Sequence, residues 1–361
     1  MRIVSIELRR SAALGTALVL LLAGGAILYA TAEWWASGWI PLAMNQRQYL
    51  VLLWPLALAA GAWQARRDQR SQVAELFAST ARPRVQRAAP ILTALAIAVV
   101  AGYLATAAVA VAWIVDTVDY LPPAAFVVLA VGALSLVAAV WLGLAVGRLL
   151  PSPVTAPALA VAGMGALMLI PGATRGREWL GVVLAPSQGM GLYSDFRTVS
   201  GQVSAAQGIW LAALAATAVV LLAAGSRRAR AAALLPVALG ATLGLLVVQH
   251  GAGYVESPLD PVARELVCAE GTPRVCVSRM HAGLLPEVTP LVRQCLTTMA
   301  ERPNAPTSAA EDTTTFLDEH PQPARADTLV FRIDVGGDGH LRDKKAFVAD
   351  LLNAPAAYAR D

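Results

Sequence analysis

ILTALAIAVVAGYLATAAVAVAWIVDTVDYLPPAAFVVLAVGALSLVAAVWLGLAVGRLL, residues 91–150, is the stretch that decides the fold. A bilayer core takes about 20 apolar residues of helix, and two such runs stand here back to back, at 89–115 and 124–147. Outward from them, further runs lie at 11–31, 49–65, 154–171, 208–225 and 231–249, seven in all. The run at 154–171 is short and holds Pro157 and Pro171, so a kink is expected there. The first run is too long for a secretory signal and leads into Trp34 and Trp35, not into a small-residue cleavage site; it reads as a retained helix.

The chain is 57% hydrophobic, with a mean hydropathy of +0.57, but that average conceals two halves. Residues 1–249 hold 17 of the 28 Lys+Arg and only 8 of the 24 Asp+Glu, whereas residues 250–361 are net acidic. The basic surplus sits in short arginine clusters between apolar runs, where it reports topology and not nucleic-acid binding. With the amino terminus in the cytoplasm, 13 arginines fall in cytoplasmic segments and four (Arg47, Arg175, Arg177 and Arg197) in the opposite loops. Trp34, Trp35, Trp39, Trp63, Trp113, Trp179 and Trp210 fall near run ends, as an aromatic belt would place them. An odd number of crossings then puts residues 250–361 outside. Only Lys344 and Lys345 are lysines, an arginine and alanine bias that fits a GC-rich bacterial genome. The expected location is the bacterial plasma membrane, multi-pass, with membrane lipids as neighbours and no nucleic acid.

All three cysteines, Cys268, Cys276 and Cys295, lie beyond the last run, which suits an oxidising compartment. Cys268 and Cys276 flank a turn-like stretch and are the disulfide candidates. Cys295 reads as a buried thiol on the apolar face of a helix over 286–301, and pairings that involve it stay open. The tail reads as a small α+β domain: an alternating stretch at 274–280, that helix, a strand at 327–335 and a last helix at 342–354. The Pro/Ser/Thr-rich stretch 301–315 reads as a mobile loop.

No enzyme signature is present: no phosphate-binding GxxxxGK[ST], no HExxH, no CxxC pair, no GxSxG. His250, His281, His320 and His340 lack metal-ligand spacing and read as surface residues. The stretch 334–345 has Asp334, Asp338 and Gly339 where a calcium loop would, but Gly336 and Lys345 stand at two ligand positions, so a strand-to-helix turn is expected. The interiors of the seven runs hold no Asp, Glu, Lys or Arg, which argues against ion coupling.

The most informative segment between runs is RRDQRSQVAELFASTARPRVQR, 66–87. Its centre reads as a short amphipathic helix with Val73, Leu76 and Phe77 on one face, broken at Pro83. Either it lies on the membrane surface, or it docks a cytoplasmic partner. The pattern of Arg70, Glu75, Leu76, Ser79 and Thr80, followed by Arg82 and Arg84, resembles the coupling segment of ABC-2 type permeases, the transmembrane subunits of ATP-driven transporters. VSIELRRSA (4–12) is similar to that family's amphipathic lead-in helix, 142–160 to its cytoplasmic turn between the fourth and fifth spans, and 172–206 to its external helical hairpin.

The resemblance covers about residues 1–226. It implies a six-span core over 1–230, to which this chain adds a seventh span at 231–249 and an extracytoplasmic α+β domain at 250–361. That tail looks similar to extensions on some actinobacterial permease-like proteins. It further implies a separate cytoplasmic ABC ATPase contacted through Arg67, Arg70, Glu75, Leu76, Phe77, Ser79, Thr80, Arg82 and Arg84. Pairing with a second copy or a related permease follows too. ATP and magnesium would sit on the ATPase, with no cofactor on this chain, no metal and no catalytic residue. The implied cargo is a lipid, peptide or drug-like amphiphile, exported. The competing reading is a membrane-anchored sensor or assembly protein whose external domain binds a ligand or partner.

Overall fold

The structure, a computed structural model, describes residues 6–8, 11–70, 83–191, 194–248, 258–301, 305–315 and 327–358. The helical part runs α1 (Ala13–Ala30), α2 (Trp39–Gln48), α3 (Leu50–Arg70), α4 (Arg84–Ile114), α5 (Pro123–Leu149), α6 (Thr155–Ala173), α7 (Glu178–Leu184), α8 (Gly201–Ala223), α9 (Arg227–Ala231) and α10 (Leu234–Val247). Six helices among the described residues are long and apolar enough to cross a membrane: α1, α4, α5, α6, α8 and the combined run Arg227–Val247. They correspond to six of the seven apolar runs. The seventh run, 49–65, is α3, in which Gln64, Arg66 and Arg67 follow the apolar part within one helix and lower its mean hydropathy.

Less apolar than its neighbours, α3 packs chiefly against α5 and α6 and more lightly against α1, while α5 is the helix that touches most of the others. Leu50, Leu53, Ala57, Leu58, Ala62 and Ala65 are buried. Lipid tails are as apolar as leucine, so helices associate in a bilayer through close backbone approach at small residues. That approach is reciprocal here. A Cβ on Gly61 would overlap the Val140 carbonyl, and one on Gly143 would overlap the Leu58 carbonyl.

Before α3 comes a helix that hydropathy did not announce. α2 spans Trp39–Gln48 and is separated from α3 only at Tyr49. Trp35, expected in the interfacial belt, is instead 1% exposed, its Nε1 donating to the Leu28 carbonyl at 2.9 Å. Trp34 and Trp63 do face outward.

The two ends of the bundle are distinguished by their contacts. At one, the Ala12 N–H donates to Gln64 Oε1 (2.7 Å) and Arg84 Nη1 to the Ala224 carbonyl (3.1 Å). At the other, Trp39 Nε1 donates to the Val118 carbonyl (3.3 Å) and Ser37 Oγ to Asp195 Oδ1 (2.8 Å).

The carboxyl-terminal domain sits on this second end. Its sheet runs β1 (Leu266–Cys268), β2 (Arg274–Ser278), β3 (Ser308–Glu311), β4 (Thr328–Phe331) in that order, β1 and β2 antiparallel, the rest parallel. α11 (Leu285–Met299) crosses over between β2 and β3, and α12 (Lys344–Tyr358) follows β4. Val277, Val288, Val292, Leu329 and Phe331 build the core, with Phe331 edge-on to Phe347 at 5.7 Å. Strand β3 overturns the loop expected at 301–315. Its SAAE lacks branched residues, but its short side chains let Ala309 pack beneath the helices while both edges pair with longer-chained neighbours.

Cys268 and Cys276 are disulfide-bonded at facing positions of the β1–β2 hairpin, and Cys295 is a buried thiol beside Val292 and Met299. Closing so short a loop stabilises by about 2–3 kcal/mol. The double variant C268S/C276S is expected to lower the thermal midpoint of the purified protein by several degrees; an unchanged midpoint would contradict it. The 334–345 stretch is a closed turn: Asp334 pairs with Arg342 (3.0 Å), Asp338 accepts from the His340 N–H (3.1 Å), and Asp343 caps the start of α12.

Candidate functional site

Of the residues expected to meet an ATPase, Arg67 and Arg84 have described side chains. Both are exposed at the same end of the bundle. Arg67 stands with Ser11, Thr16 and Trp63 on an open groove of about 460 Å3 between α1 and α3, and Arg84 holds the turn after α8. The Arg70 backbone ends α3, its side chain lying outside the described residues. Glu75, Leu76, Phe77, Ser79, Thr80 and Arg82 also lie outside them.

The densest polar chemistry of the bundle is elsewhere. Arg47, assigned by hydropathy to an external loop, is 0% exposed in the last turn of α2. The stretch Asn45–Gln48 lowers local hydropathy to that of a loop, yet the helix runs through it and turns the three residues 45–47 inward. The seven apolar runs themselves carry no charge, but the interior of the bundle holds one, just ahead of the run at 49–65.

Arg47 Nε donates to the Pro186 carbonyl (3.0 Å), and its Nη2 to Gln207 Oε1. Gln207 in turn donates to the Val182 carbonyl (2.5 Å), tying α8 to α7. Gln46 Nε2 donates to the Tyr103 carbonyl (2.6 Å) and to Thr106 Oγ1 (2.9 Å) on α4, and Asn45 Nδ2 to Thr31 Oγ1 (3.2 Å). Three consecutive side chains of α2 thus reach α8, α4 and the end of α1. Arg47 has no carboxylate partner among the described residues.

Tyr103 is as deeply placed. It lies 19 residues after Arg84 and 11 before Ile114, roughly 28 and 16 Å from the two ends of α4. Its ring lies against α5 where residue 132 is glycine; a Cβ there would overlap the hydroxyl. The one sequence sign of this cluster was NQRQ at 45–48, directly ahead of an apolar run.

A second buried polar group belongs to the carboxyl-terminal domain. His281, expected at the surface, is 3% exposed, its Nδ1 2.6 Å from Glu311 Oε1. Glu311 Oε2 accepts the Ser278 N–H (2.6 Å), and Ser278 Oγ lies 3.3 Å from the same His281 Nδ1. Serine, histidine and acid are all present, but the hydroxyl and the carboxylate address one nitrogen. A nucleophile relay needs the two on opposite nitrogens. The group is a buried ion pair that fastens the turn after β2 to β3, with Phe196 of the bundle edge-on to the imidazole at 6.1 Å. Burial pushes the His281 imidazole down, and the Glu311 carboxylate together with the more weakly acting Asp195 more than offsets it, leaving it above the ordinary histidine value.

No protein-family model, curated protein or solved structure matches the chain.

Proposed function

We propose that this chain is the membrane-spanning permease subunit of an ATP-driven transporter, coupled to a separate cytoplasmic ATPase through the segment between α3 and α4. One observation carries the reading: the helix that leads into that segment makes the most extensive helix–helix contact of the bundle, with α5. A push at the Arg67 end of α3 would be transmitted to α5 through the close approaches of Gly61 to Val140 and of Gly143 to Leu58, and through α2 to Arg47 and its partner Gln207 on α8. A surface-lying segment would need no such connection. The short α7 between α6 and α8 agrees with the external hairpin of the permease family. In this reading α2 with α3 forms the second of seven crossings, the amino terminus is cytoplasmic, and the carboxyl-terminal domain is extracytoplasmic. No residue performs covalent chemistry; the work is rigid-body displacement of helices.

The test is pull-down of the full chain from its native membrane, with mass spectrometry of the partners. A nucleotide-binding ATPase is expected in stoichiometric amount and is expected to be lost with the charge reversals R70E and E75K. Absence of any such ATPase, or retention of it by the double reversal, defeats the permease reading and favours a membrane-anchored sensor.

A further inference from the structure

We infer that the Arg47 cluster is a binding site for the anionic headgroup of an amphiphile, a phosphate or a carboxylate carried on an apolar chain. The inference rests on the permease reading for its role as a cargo site, and on the structure for its chemistry.

Arg47 is an arginine at membrane depth with only neutral acceptors. Its Nε and Nη2 are taken up by Pro186 and Gln207, and its Nη1 has no partner. Charged side chains at such depth are retained where an ion or substrate meets them, because otherwise the desolvation of the cation is uncompensated. Two buried hydroxyls of the bundle are likewise unpartnered: that of Tyr103, whose own carbonyl accepts from Gln46, the residue beside Arg47, and Ser135 Oγ on α5. Ser135 lies three residues beyond Gly132, the residue that the Tyr103 hydroxyl covers, so the two hydroxyls share a face of α5.

One cationic donor and two hydroxyl donors, all fully buried and all without acceptors, are a set that an oxyanion completes. Gln46 Oε1 and Asn45 Oδ1 are unpartnered acceptors in the same cluster, suited to a hydroxyl of a phosphate monoester or of a sugar or glycerol headgroup. The side chains packed around them are apolar, as the tail of an amphiphile requires. The helix break at Tyr49 lies two residues from Arg47.

The unpartnered state of the hydroxyls gives the test its sharpness. Removing a group that holds the resting fold together lowers stability; removing one that waits for a ligand does not. The full chain, purified in a neutral detergent, is heated with dodecyl phosphate, with dodecyltrimethylammonium of equal chain length, or with inorganic phosphate. Dodecyl phosphate is expected to raise the thermal midpoint by several degrees in a saturable manner, and the cation to leave it unchanged. A saturable rise with inorganic phosphate alone supports the anion site and identifies a free anion, not a headgroup, as its occupant. Y103F and S135A are expected to keep or exceed the wild-type midpoint without ligand, and Y103F to weaken apparent dodecyl phosphate binding about tenfold, the loss of one hydrogen bond to a charged group. R47Q is expected to lose the response altogether.

The inference is overturned if the wild type responds equally to the cationic amphiphile, if it does not respond to any anion, or if Y103F and S135A bind as the wild type does. ATPase pull-down of Y103F separates the two proposals. Weakened anion binding with the ATPase retained supports both; an ATPase-free chain that still binds the anion removes the permease reading and leaves the site; unaltered anion binding with the ATPase retained removes the site alone.

Discussion

Replacing Gly143 with valine is expected to abolish the folded bundle. The Cβ position on Gly143 already overlaps the Leu58 carbonyl, and Gly61 stands in the mirror relation to the Val140 carbonyl, so the obstruction is backbone on both sides. A flexible side chain could turn aside; a helix backbone moves only with its whole helix. Overpacking of an ordinary core costs about 1–3 kcal/mol, and more where no side chain can yield. Separating α3 from α5 would also loosen Ala57, Ala62 and Ala139, packed along the same seam. Size-exclusion chromatography in mild detergent reads the outcome: G143V should give aggregate or no protein. G25A is the matched control, since a Cβ on Gly25 meets nothing within 4 Å. It should be neutral or stabilising by up to about 1 kcal/mol, from helix propensity alone. Equal yields of monodisperse G143V and G25A would show that the close approach does not hold the bundle.

The second large effect is expected from Glu311→Gln. It leaves the His281 imidazolium buried without its counter-charge, the kind of change that costs about 3–5 kcal/mol when one member of a buried pair is removed. Because Glu311 holds His281 above its unfolded value of about 6.5, the pair stabilises in one direction of pH. Its contribution is fully present below the unfolded value and is lost as pH rises through the higher folded one. The wild-type midpoint should therefore fall with rising pH, measured between about pH 6 and pH 9, by more than that of E311Q. In the variant only the weaker pull of Asp195 opposes the desolvation of the imidazole, so less of its stability depends on pH. Parallel pH curves for the two proteins would refute the coupling.

Much of the helical architecture was legible because hydropathy and length suffice for it: six of the seven apolar runs are helices fit to cross a membrane. What composition could not convey was continuity. Residues 45–48 are too polar for a span in any averaging window, yet a helix makes its own backbone hydrogen bonds whatever its side chains, so α2 passes through them. The polar side chains then find partners on α4 and α8, which only the tertiary arrangement brings near. The same limit concealed β3. Ser308–Glu311 has no β-branched residue, and its strand character comes from its neighbours on both sides. His281 was misread as exposed because its burial depends on Glu311, thirty residues away in sequence. In the tail, the hairpin disulfide and the apolar face of α11 were local features, and local features are what a sequence displays.

The carboxyl-terminal domain has been described by its core, but its fastening has a mechanical meaning. It grips three hairpin tips of the bundle together: Arg342 pairs with Glu33 after α1 (3.1 Å), Tyr120 after α4 donates to Asp260 (2.8 Å), and Asp260 and Pro258 bond to the backbone at 196–198 before α8 (2.8 and 2.9 Å). A hoop around a cask has the same geometry: no stave can spread alone. Any widening of the bundle at this end must carry all three tips outward as a set or unfasten the hoop first, so the domain fixes how far, and in what combination, the helices below it can part.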